Sequence, residues 1–183
     1  MTQNKSPANT DMNEKNRLRV LESLHILDTA SDSDLDKYTK LLNLIFDVPI
    51  ALISLVDSER QWFKSRLGIE ECSSNRDIAF CSYTIQSTDI FEVINPTADE
   101  RFKNNPFVKG DVNLRYYCGA PVMIDGEAIG SLCMIDTKKR EPLTDNQREI
   151  LIHLAAKVAD EISAKAILKR TTDLLMDVMR QVD

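Results

Sequence analysis

Two strand-like runs joined by an Asp-Gly pair constrain the fold of this chain more than any other feature. Residues 116–124 and 127–135 are rich in apolar side chains, and Asp125-Gly126 connects them. Asp and Gly accept the positive φ angles of a two-residue type I′ turn, whose twist matches that of paired strands. The pattern therefore predicts a tight antiparallel hairpin.

Other apolar runs predict the rest of the secondary structure. Residues 48–56 form a β-branched run typical of a strand covered on both faces, residues 61–65 a returning strand, and residues 90–94 a short third one. Three-four spacing predicts a helix over residues 14–28 and a second helix that buries Leu35, Tyr38, Leu42 and Ile45. A short helix is expected around residues 78–85.

The last part of the chain predicts one long helix. Thr144 and Gln147 have the spacing of a capping box, which opens a helix extending to about residue 180. The order of elements indicates an α+β fold, a central antiparallel sheet with helices mainly on one face. Residues 68–115 then cover the other face, and a pocket is expected beneath them.

Composition favours a single domain in a reducing compartment. The 183 residues are 43% hydrophobic and carry a net charge of −6, which argues against generic binding to nucleic acid or to an anionic membrane. The polar N-terminus has no secretory signal pattern, so we expect a cytoplasmic protein with four free thiols. The cysteines form no CxxC pair and only two histidines are present, so no metal motif is recognised.

Catalytic templates are missing from the sequence. It contains no glycine-rich nucleotide loop, no HExxH and no GxSxG. The two histidines, His25 and His153, are expected on amphipathic helices, where a nucleophile–histidine pair is difficult to build. The sequence therefore favours binding over catalysis.

One cluster of aromatic and arginine residues resembles a binding site for a small anionic or amide-bearing ligand. Its members are Arg76, Phe80, Cys81, Tyr83, Asn95, Arg101, Phe102, Arg115 and Tyr117. The alternative is that the rings pack on the second face of the sheet while the arginines pair with Asp77, Asp99 and Asp111.

The apolar stripe of the last helix continues past the expected globular body. Leu168, Leu175, Met179 and Val182 keep the three-four rhythm beyond residue 165. A second copy of the chain in a parallel helical pair would bury them, so we expect a homodimer formed through the terminal helices.

Several ordered blocks of the sequence form one pattern. It begins with the helix through Arg17-Leu18 and Leu27-Asp28-Thr29. Further blocks are VPIALISLVD at 48–57, RQWFKS at 60–65, RDIAFC at 76–81, DERF at 99–102 with Asn105-Pro106, RYYCGAP at 115–121 and GSLCMID at 130–136. Together these blocks resemble the GAF domain family, in the bacterial sensory subfamily often found with diguanylate cyclase or histidine kinase modules.

The resemblance implies a ligand pocket on one face of the sheet and dimerising terminal helices on the other. It divides the chain into a flexible leader at 1–13, a sensor domain at 14–165 and a helical extension at 166–183. A non-catalytic sensor would bind an unidentified small molecule and pass the signal to an output module such as a diguanylate cyclase or histidine kinase. No bilin attachment motif and no cyclic-nucleotide signature can be placed, so the cofactor stays open.

Two other functions stay open. The enzymatic branch, free methionine-R-sulfoxide reductase, needs pocket cysteines, for which Cys81 with Cys72 or Cys118 are the candidates. A third possibility is a dimeric scaffold with a vestigial pocket.

Overall fold

The computed structural model describes residues 7–182, and the side chains of residues 12–181. Its helices are α1 Pro7–Ser23, α2 Ser33–Phe46, α3 Cys81–Thr84, α4 Pro106–Lys109 and α5 Asp145–Val182, with a 3₁₀ turn at Arg76–Ile78. Its strands are β1 Ile50–Val56, β2 Arg60–Leu67, β3 Ser73–Asn75, β4 Phe91–Val93, β5 Tyr116–Ile124 and β6 Glu127–Asp136.

The six strands form one antiparallel sheet in the order β3-β2-β1-β6-β5-β4. The predicted hairpin is confirmed, since Ile124 pairs with Glu127 and both turn residues have positive φ, 50° at Asp125 and 80° at Gly126. Every residue of β1 is buried, as expected for a strand covered on both faces. The α+β fold predicted from the sequence is therefore confirmed.

The sheet separates two apolar clusters. On one face, α1, α2 and α5 pack against alternate residues of the central strands, including Ile53, Tyr116 and Leu132. On the other face, the segment from α3 to α4 packs against Leu52, Tyr117 and other strand residues. Successive side chains of a strand point to opposite faces, so β5 and β6 contribute to both clusters at once.

The helices on the first face differ in detail from the sequence prediction. Helix α1 begins at Pro7 rather than residue 14 and ends at Ser23, so residues 7–13 of the expected leader are helical, while residues 1–6 lie outside the described part. His25, expected on that helix, follows it with a φ of 47°.

Helix α2 buries Leu35 and Leu42 as predicted, and Tyr38 is half-buried against the same core. Ile45 is exposed, contrary to the prediction, and Thr39 and Phe46 are buried instead. The Thr39 hydroxyl hydrogen-bonds to Ser65 on β2 at 2.9 Å, and this polar contact replaces the apolar one that hydrophobic spacing alone predicts.

The capping box of α5 is confirmed. The Thr144 amide donates to Gln147 Oε1 at 2.9 Å, and the Gln147 amide donates to Thr144 Oγ1 at 3.3 Å. Farther along α5, Lys165 Nζ lies 2.9 Å from a carboxylate oxygen of both Asp32 and Asp34, which ties α5 to the first turn of α2. No helix within residues 7–182 combines the length and hydropathy needed to cross a bilayer.

Candidate functional site

An apolar cavity of about 90 Å³ lies between the sheet and its covering segment. Strands β1, β2, β5 and β6 form its floor, while the residues around α3 and α4 cover it. The lining residues are Ile50, Leu52, Gln61, Phe63, Ile69, Glu71, Ser73, Ser74, Phe80, Cys81, Phe107, Val112, Leu114, Tyr117 and Ile135. This volume holds several waters or a molecule of a few heavy atoms, and is far below the roughly 300–1,000 Å³ of pockets for drug-sized ligands.

A buried cluster of hydroxyls and thiols borders the cavity. The Tyr117 hydroxyl lies 2.7 Å from Thr84 Oγ1 and 3.4 Å from Ser131 Oγ, and it donates to Cys81 Sγ at 3.3 Å. Cys81 Sγ lies 3.7 Å from Cys133 Sγ. All five side chains are almost completely buried. The cavity therefore combines apolar walls with one polar, sulfur-containing corner.

The absence of a side chain at Gly119 makes room for this cluster. A Cβ atom there would lie 2.5 Å from the Tyr117 hydroxyl oxygen and 2.7 Å from Ser131 Oγ. Both distances are shorter than a normal carbon–oxygen contact. Glycine at this position of β5 is therefore required by the close approach of two hydroxyls.

The cluster also changes the acidity of its groups. The pKa of the Cys81 thiol is lowered to about 7, because hydrogen bonds from Cys133 and Tyr117 outweigh the opposing effect of burial. The pKa of Cys133 is raised well above its ordinary range by its hydrogen bond to Cys81 and by burial, and the pKa of Tyr117 is raised well above its range by burial and by the neighbouring Cys81. Cys81 is therefore the thiol of this pair that ionises first.

The residue before Tyr117 builds a separate network on the opposite face of the sheet. The Tyr116 hydroxyl donates to Glu92 Oε1 at 2.8 Å, and the Leu143 amide donates to the same oxygen at 2.8 Å. The second oxygen of Glu92 pairs with Arg148 of α5. Two adjacent residues of β5 thus connect one face to the cavity and the other face to the start of α5.

The nine residues predicted as a binding site fall into separate groups. Phe80, Cys81 and Tyr117 line the cavity. Phe102 stacks on Phe80 with a ring-centroid distance of 4.0 Å and supports the cavity wall from behind.

Tyr83 and Arg101, two more of the predicted residues, lie together outside the cavity. Arg101 forms an ion pair with Asp99 at 2.6 Å, and its guanidinium lies 5.6 Å from the ring centroid of Tyr83 and 5.0 Å from that of Phe91. Asn95 is exposed and accepts a hydrogen bond from Thr97 at 2.7 Å. The rings thus pack, and Arg101 pairs with Asp99, as in the second interpretation of the sequence. The other arginine partners expected there, Asp77 and Asp111, are wrong: Arg76 pairs with Glu14, and Arg115 donates to backbone carbonyls.

The other two arginines hold the covering segment in place. Arg115 donates to the carbonyls of Val108 and Leu114, each at 2.9 Å. Arg76 donates to Glu14 at 2.7 Å and to the Asp57 carbonyl at 2.9 Å. Neither arginine lines the apolar cavity, so the cavity contains no cationic group from the predicted set.

Glu14 joins two arginines at the edge of a polar groove between α1, α3 and the β5–β6 turn. Arg17 is buried and also donates to the Val56 carbonyl at 2.6 Å. Burial raises the pKa of Glu14, but hydrogen bonds from Arg17 and Arg76 outweigh that effect and bring the pKa down to about 2. The groove edge is therefore a structural ion-pair cluster.

The cysteines are arranged differently from the sequence expectation. Cys72 is exposed, whereas Cys118 is buried on the helix-covered face, opposite to Cys81. Cys133, which is not among the predicted site residues, is the thiol that contacts Cys81. Residues 131, 133 and 135 share one face of β6, and that alternation is the signal that could have placed Cys133 beside the pocket.

Polar cavity residues were also missed by sequence reasoning. Gln61 lines the cavity, and its amide nitrogen donates to Ser74 Oγ at 2.7 Å while Ser54 donates to its carbonyl oxygen at 3.2 Å. Strand β3, which supplies Ser73 and Ser74, lies in the segment 68–115, which the sequence predicts to cover the sheet and not to extend it. Among the described residues, no three His, Cys, Asp or Glu side chains are grouped so as to hold a metal ion.

The fold and this site can be compared with known proteins. A cyclic di-GMP phosphodiesterase from Pseudomonas aeruginosa is 36% identical over 150 residues, which is 81% of this chain but 26% of that protein. The chain thus spans about a quarter of the length of this curated relative.

Solved structures show the same fold. The GAF domain of a phosphoenolpyruvate-protein phosphotransferase from Coxiella burnetii has a TM-score of 0.64 at 12% identity, covering 87% of this chain and 98% of that one. A type II free methionine-R-sulfoxide reductase from Thermoplasma acidophilum has a TM-score of 0.59 at 14% identity, covering 71% and 90%. The family model for the GAF domain matches residues 32–162. This chain belongs to the GAF domain family.

Proposed function

We propose that this GAF domain is a non-catalytic sensor that binds a small molecule in the apolar cavity and relays its occupancy through α5 to a dimer partner. The observation that carries the proposal is the pair of adjacent tyrosines on β5. Tyr117 contacts the cavity cluster and Tyr116 contacts Glu92, which pairs with Arg148 at the start of α5. A shift of this strand changes both networks, because its two faces share one backbone.

The size of the cavity limits the class of ligand. Apolar walls and a volume of about 90 Å³ fit a small, mostly apolar molecule with one polar group directed at Gln61 or the hydroxyl cluster. A nucleotide or a bilin is far larger and needs the covering segment to open. We therefore expect the physiological ligand to have fewer than about ten heavy atoms.

The exposed stripe on α5 supports the proposed dimer. Leu168 and Leu175 are 68% and 59% exposed and lie seven residues apart, and the exposed side chains of Val178 and Met179 continue the stripe at three-four spacing. A seven-residue apolar repeat is the pattern that packs two parallel helices together. Ligand binding biases such a pair only if its affinity differs between two helix arrangements.

The output lies in an effector, either attached to this domain or separate. The Pseudomonas relative, named as a cyclic di-GMP phosphodiesterase, makes a cyclic-dinucleotide enzyme the first effector to test. A diguanylate cyclase or a histidine kinase, expected from the sequence resemblance, comes next. We place the protein in the cytoplasm, as its composition favours.

A ligand screen with a cavity-filling variant tests sensing. Metabolites with few heavy atoms are added to the protein, and the methyl signals of Ile50 and Leu52, which line the cavity, are followed by NMR as the measure of binding. The methyl signal of Met134, buried on the helix-covered face of β6, reports the relay across the sheet. Ile135→Phe fills the cavity and is expected to abolish binding, whereas Ile152→Phe on the exposed face of α5 leaves it unchanged. A ligand that still binds Ile135→Phe contradicts the site, and a screen without any hit favours the scaffold function.

Sedimentation of two variants tests the dimer. Replacing both Leu168 and Leu175 with Ser is expected to produce monomers, because it removes the apolar stripe. Ile152→Ser is the control, since Ile152 is exposed on the same helix but about 160° around its axis from Leu168. If the double variant sediments like the wild type, the helices do not form the dimer as proposed.

The enzyme alternative has one supporting observation, the thiol of Cys81 at the cavity wall. Its proposed partner Cys118 faces the other side of the sheet, which disfavours that pair. Turnover of free methionine-R-sulfoxide with a thiol reductant, lost in Cys81→Ser, would establish the enzyme. No turnover by the wild type would exclude it.

A further inference from the structure

We propose that Cys81 and Cys133 form a dithiol that a small hydroperoxide oxidises to a disulfide through the apolar cavity. This inference is independent of the proposed ligand, dimer and effector. It rests on three observations, namely the contact of the two sulfurs, the access that the cavity gives to only one of them, and the donors around that sulfur.

The first observation is the contact between the thiols. Their sulfur atoms are 3.7 Å apart, although the residues are separated by 52 positions in the chain. Cys81 opens the short helix α3 in the covering segment, and Cys133 lies in β6 near the centre of the sheet. A disulfide needs the sulfurs to approach to about 2.05 Å. A shift of α3 supplies this movement more readily than a shift of β6, because β6 is paired on both sides by β1 and β5.

The second observation is the asymmetry of access. Cys81 lines the cavity, whereas Cys133 is fully buried behind it and does not. A hydroperoxide that enters the cavity therefore meets Cys81 first. Hydrogen peroxide is little larger than water and fits the cavity of about 90 Å³, whereas an aryl hydroperoxide does not fit beside Phe80 without opening the cover.

The third observation is the set of donors around Cys81. The Tyr117 hydroxyl donates to its sulfur at 3.3 Å, and the Cys133 thiol is the second neighbour. Donors of this kind stabilise a thiolate, which is the form that attacks peroxides. The pKa of Cys81 near 7 agrees with this geometry.

The reaction takes place in two balanced steps. The Cys81 thiolate attacks one peroxide oxygen, so an S–O bond forms and the O–O bond breaks, and the leaving alkoxide or hydroxide takes up the proton that Cys81 released. Cys133 then attacks the sulfenic sulfur of Cys81, an S–S bond forms, the S–O bond breaks and water leaves with the Cys133 proton. Overall, two thiols and one hydroperoxide give a disulfide, an alcohol or water, and a further water.

Oxidation of the full chain with hydrogen peroxide tests the proposal. The reduced protein is treated with equimolar peroxide, and its free thiols, intact mass and disulfide-linked peptides are measured. We expect the loss of two of the four thiols, a mass loss of two hydrogen atoms and one linked peptide pair containing Cys81 and Cys133. Cumene hydroperoxide is expected to react at least tenfold more slowly, because it is too large for the cavity.

Matched variants separate the role of Cys81, which attacks the peroxide, from that of Cys133, which closes the disulfide. Cys133→Ser is expected to accumulate a sulfenic acid at Cys81, seen as a gain of one oxygen atom in the mass of the peptide that contains Cys81, whereas Cys81→Ser shows neither this gain nor the loss of a thiol pair. Cys118→Ser is the buried control from the opposite face, and Cys72→Ser is the exposed control; both are expected to oxidise like the wild type. Cys81→Ala and Cys133→Ala, checked by circular dichroism, replace any serine variant that fails to fold.

Two results would overturn the proposal. One is a wild-type protein in which Cys81 and Cys133 stay reduced while Cys72 is oxidised. The other is a linked peptide pair that contains Cys118 or Cys72. Neither result bears on ligand binding or dimerisation, so failure here is distinguishable from failure of the proposed sensor.

Discussion

The space left by Gly119 offers the sharpest test of the cavity cluster. In Gly119→Ala, the new methyl group would lie 2.5 Å from the Tyr117 hydroxyl oxygen, 2.7 Å from Ser131 Oγ and 3.1 Å from Thr84 Oγ1. A normal contact needs nearly 1 Å more at the tyrosine, whose ring is completely buried. Overpacking of this kind costs about 1–3 kcal/mol, and the displaced hydroxyl also loses part of its hydrogen bonding at about 1 kcal/mol.

Alanine also restricts the unfolded chain, which offsets about 0.5–1 kcal/mol of that cost. The net expectation is a loss of about 2 kcal/mol in the free energy of unfolding, measured by urea titration, and a fall in Tm of about 4–8 °C for a domain of this size. An unchanged or increased stability of Gly119→Ala would refute the close packing inferred at this position.

A double-mutant cycle identifies the hydroxyl responsible. Tyr117→Phe removes the atom closest to the new methyl group, so Gly119→Ala should cost about 1 kcal/mol less in the Tyr117→Phe background than in the wild type. The control cycle uses Tyr116→Phe, whose lost hydroxyl lies on the opposite face beside Glu92. The losses in the free energy of unfolding caused by Gly119→Ala and Tyr116→Phe should add to within about 0.5 kcal/mol. Equal coupling energies in the two cycles would contradict the assignment.

Two further predictions concern carboxylates that form ion pairs with arginine, namely Glu14 and Glu92. The pKa of Glu14 is about 2 in the folded state against an ordinary value of 4.5. The ionised carboxylate therefore contributes its full share of the free energy of unfolding above pH 4.5, and this share is lost as pH falls toward 2. Glu14→Gln should therefore lower stability by about 1 kcal/mol at pH 7, a value reduced for partial exposure, and flatten the acid slope in a pH series of urea titrations. Glu92→Gln should cost about 2 kcal/mol at pH 7, since the amide cannot accept from both Tyr116 and Arg148. Glu149→Gln, on the exposed side of α5, is the control for Glu92→Gln. An equal loss in the free energy of unfolding for these two variants would contradict the buried network around Glu92.

The fold could be predicted from the sequence where local chemistry acts alone. The Asp125-Gly126 turn, the capping box at Thr144 and the buried run of β1 each follow from backbone preference or hydrophobic periodicity. The start of α1 could not be predicted in this way, because residues 7–13 are polar and carry no apolar stripe. Strand β3 was missed for a similar reason, since Ser73 and Ser74 become a strand only by pairing with β2.

The candidate site could be predicted in part. Of the nine predicted residues, Phe80 and Cys81 reach the cavity from the covering segment and Tyr117 reaches it from β5, the two regions between which the sequence predicts a pocket. The hydrogen-bond partners of the arginines could not be predicted, because they are carbonyls and carboxylates far away in the sequence. Arg76, for example, donates to Glu14, which is 62 residues away. The contact of Cys81 with Cys133 depends on which face of β6 is turned toward α3, and this register is set by the whole sheet.

The length of α5 has a mechanical consequence. The helix is held by Glu92 at Arg148 and by Asp32 and Asp34 at Lys165, and from Lys165 it continues for about 25 Å to its end at Val182. If this last part tilts as a rigid rod about Lys165, an inclination of about 10° displaces its far end by about 4 Å. The helix thus acts as a lever, and a small change of angle beside the sheet becomes a movement of several ångströms at its tip.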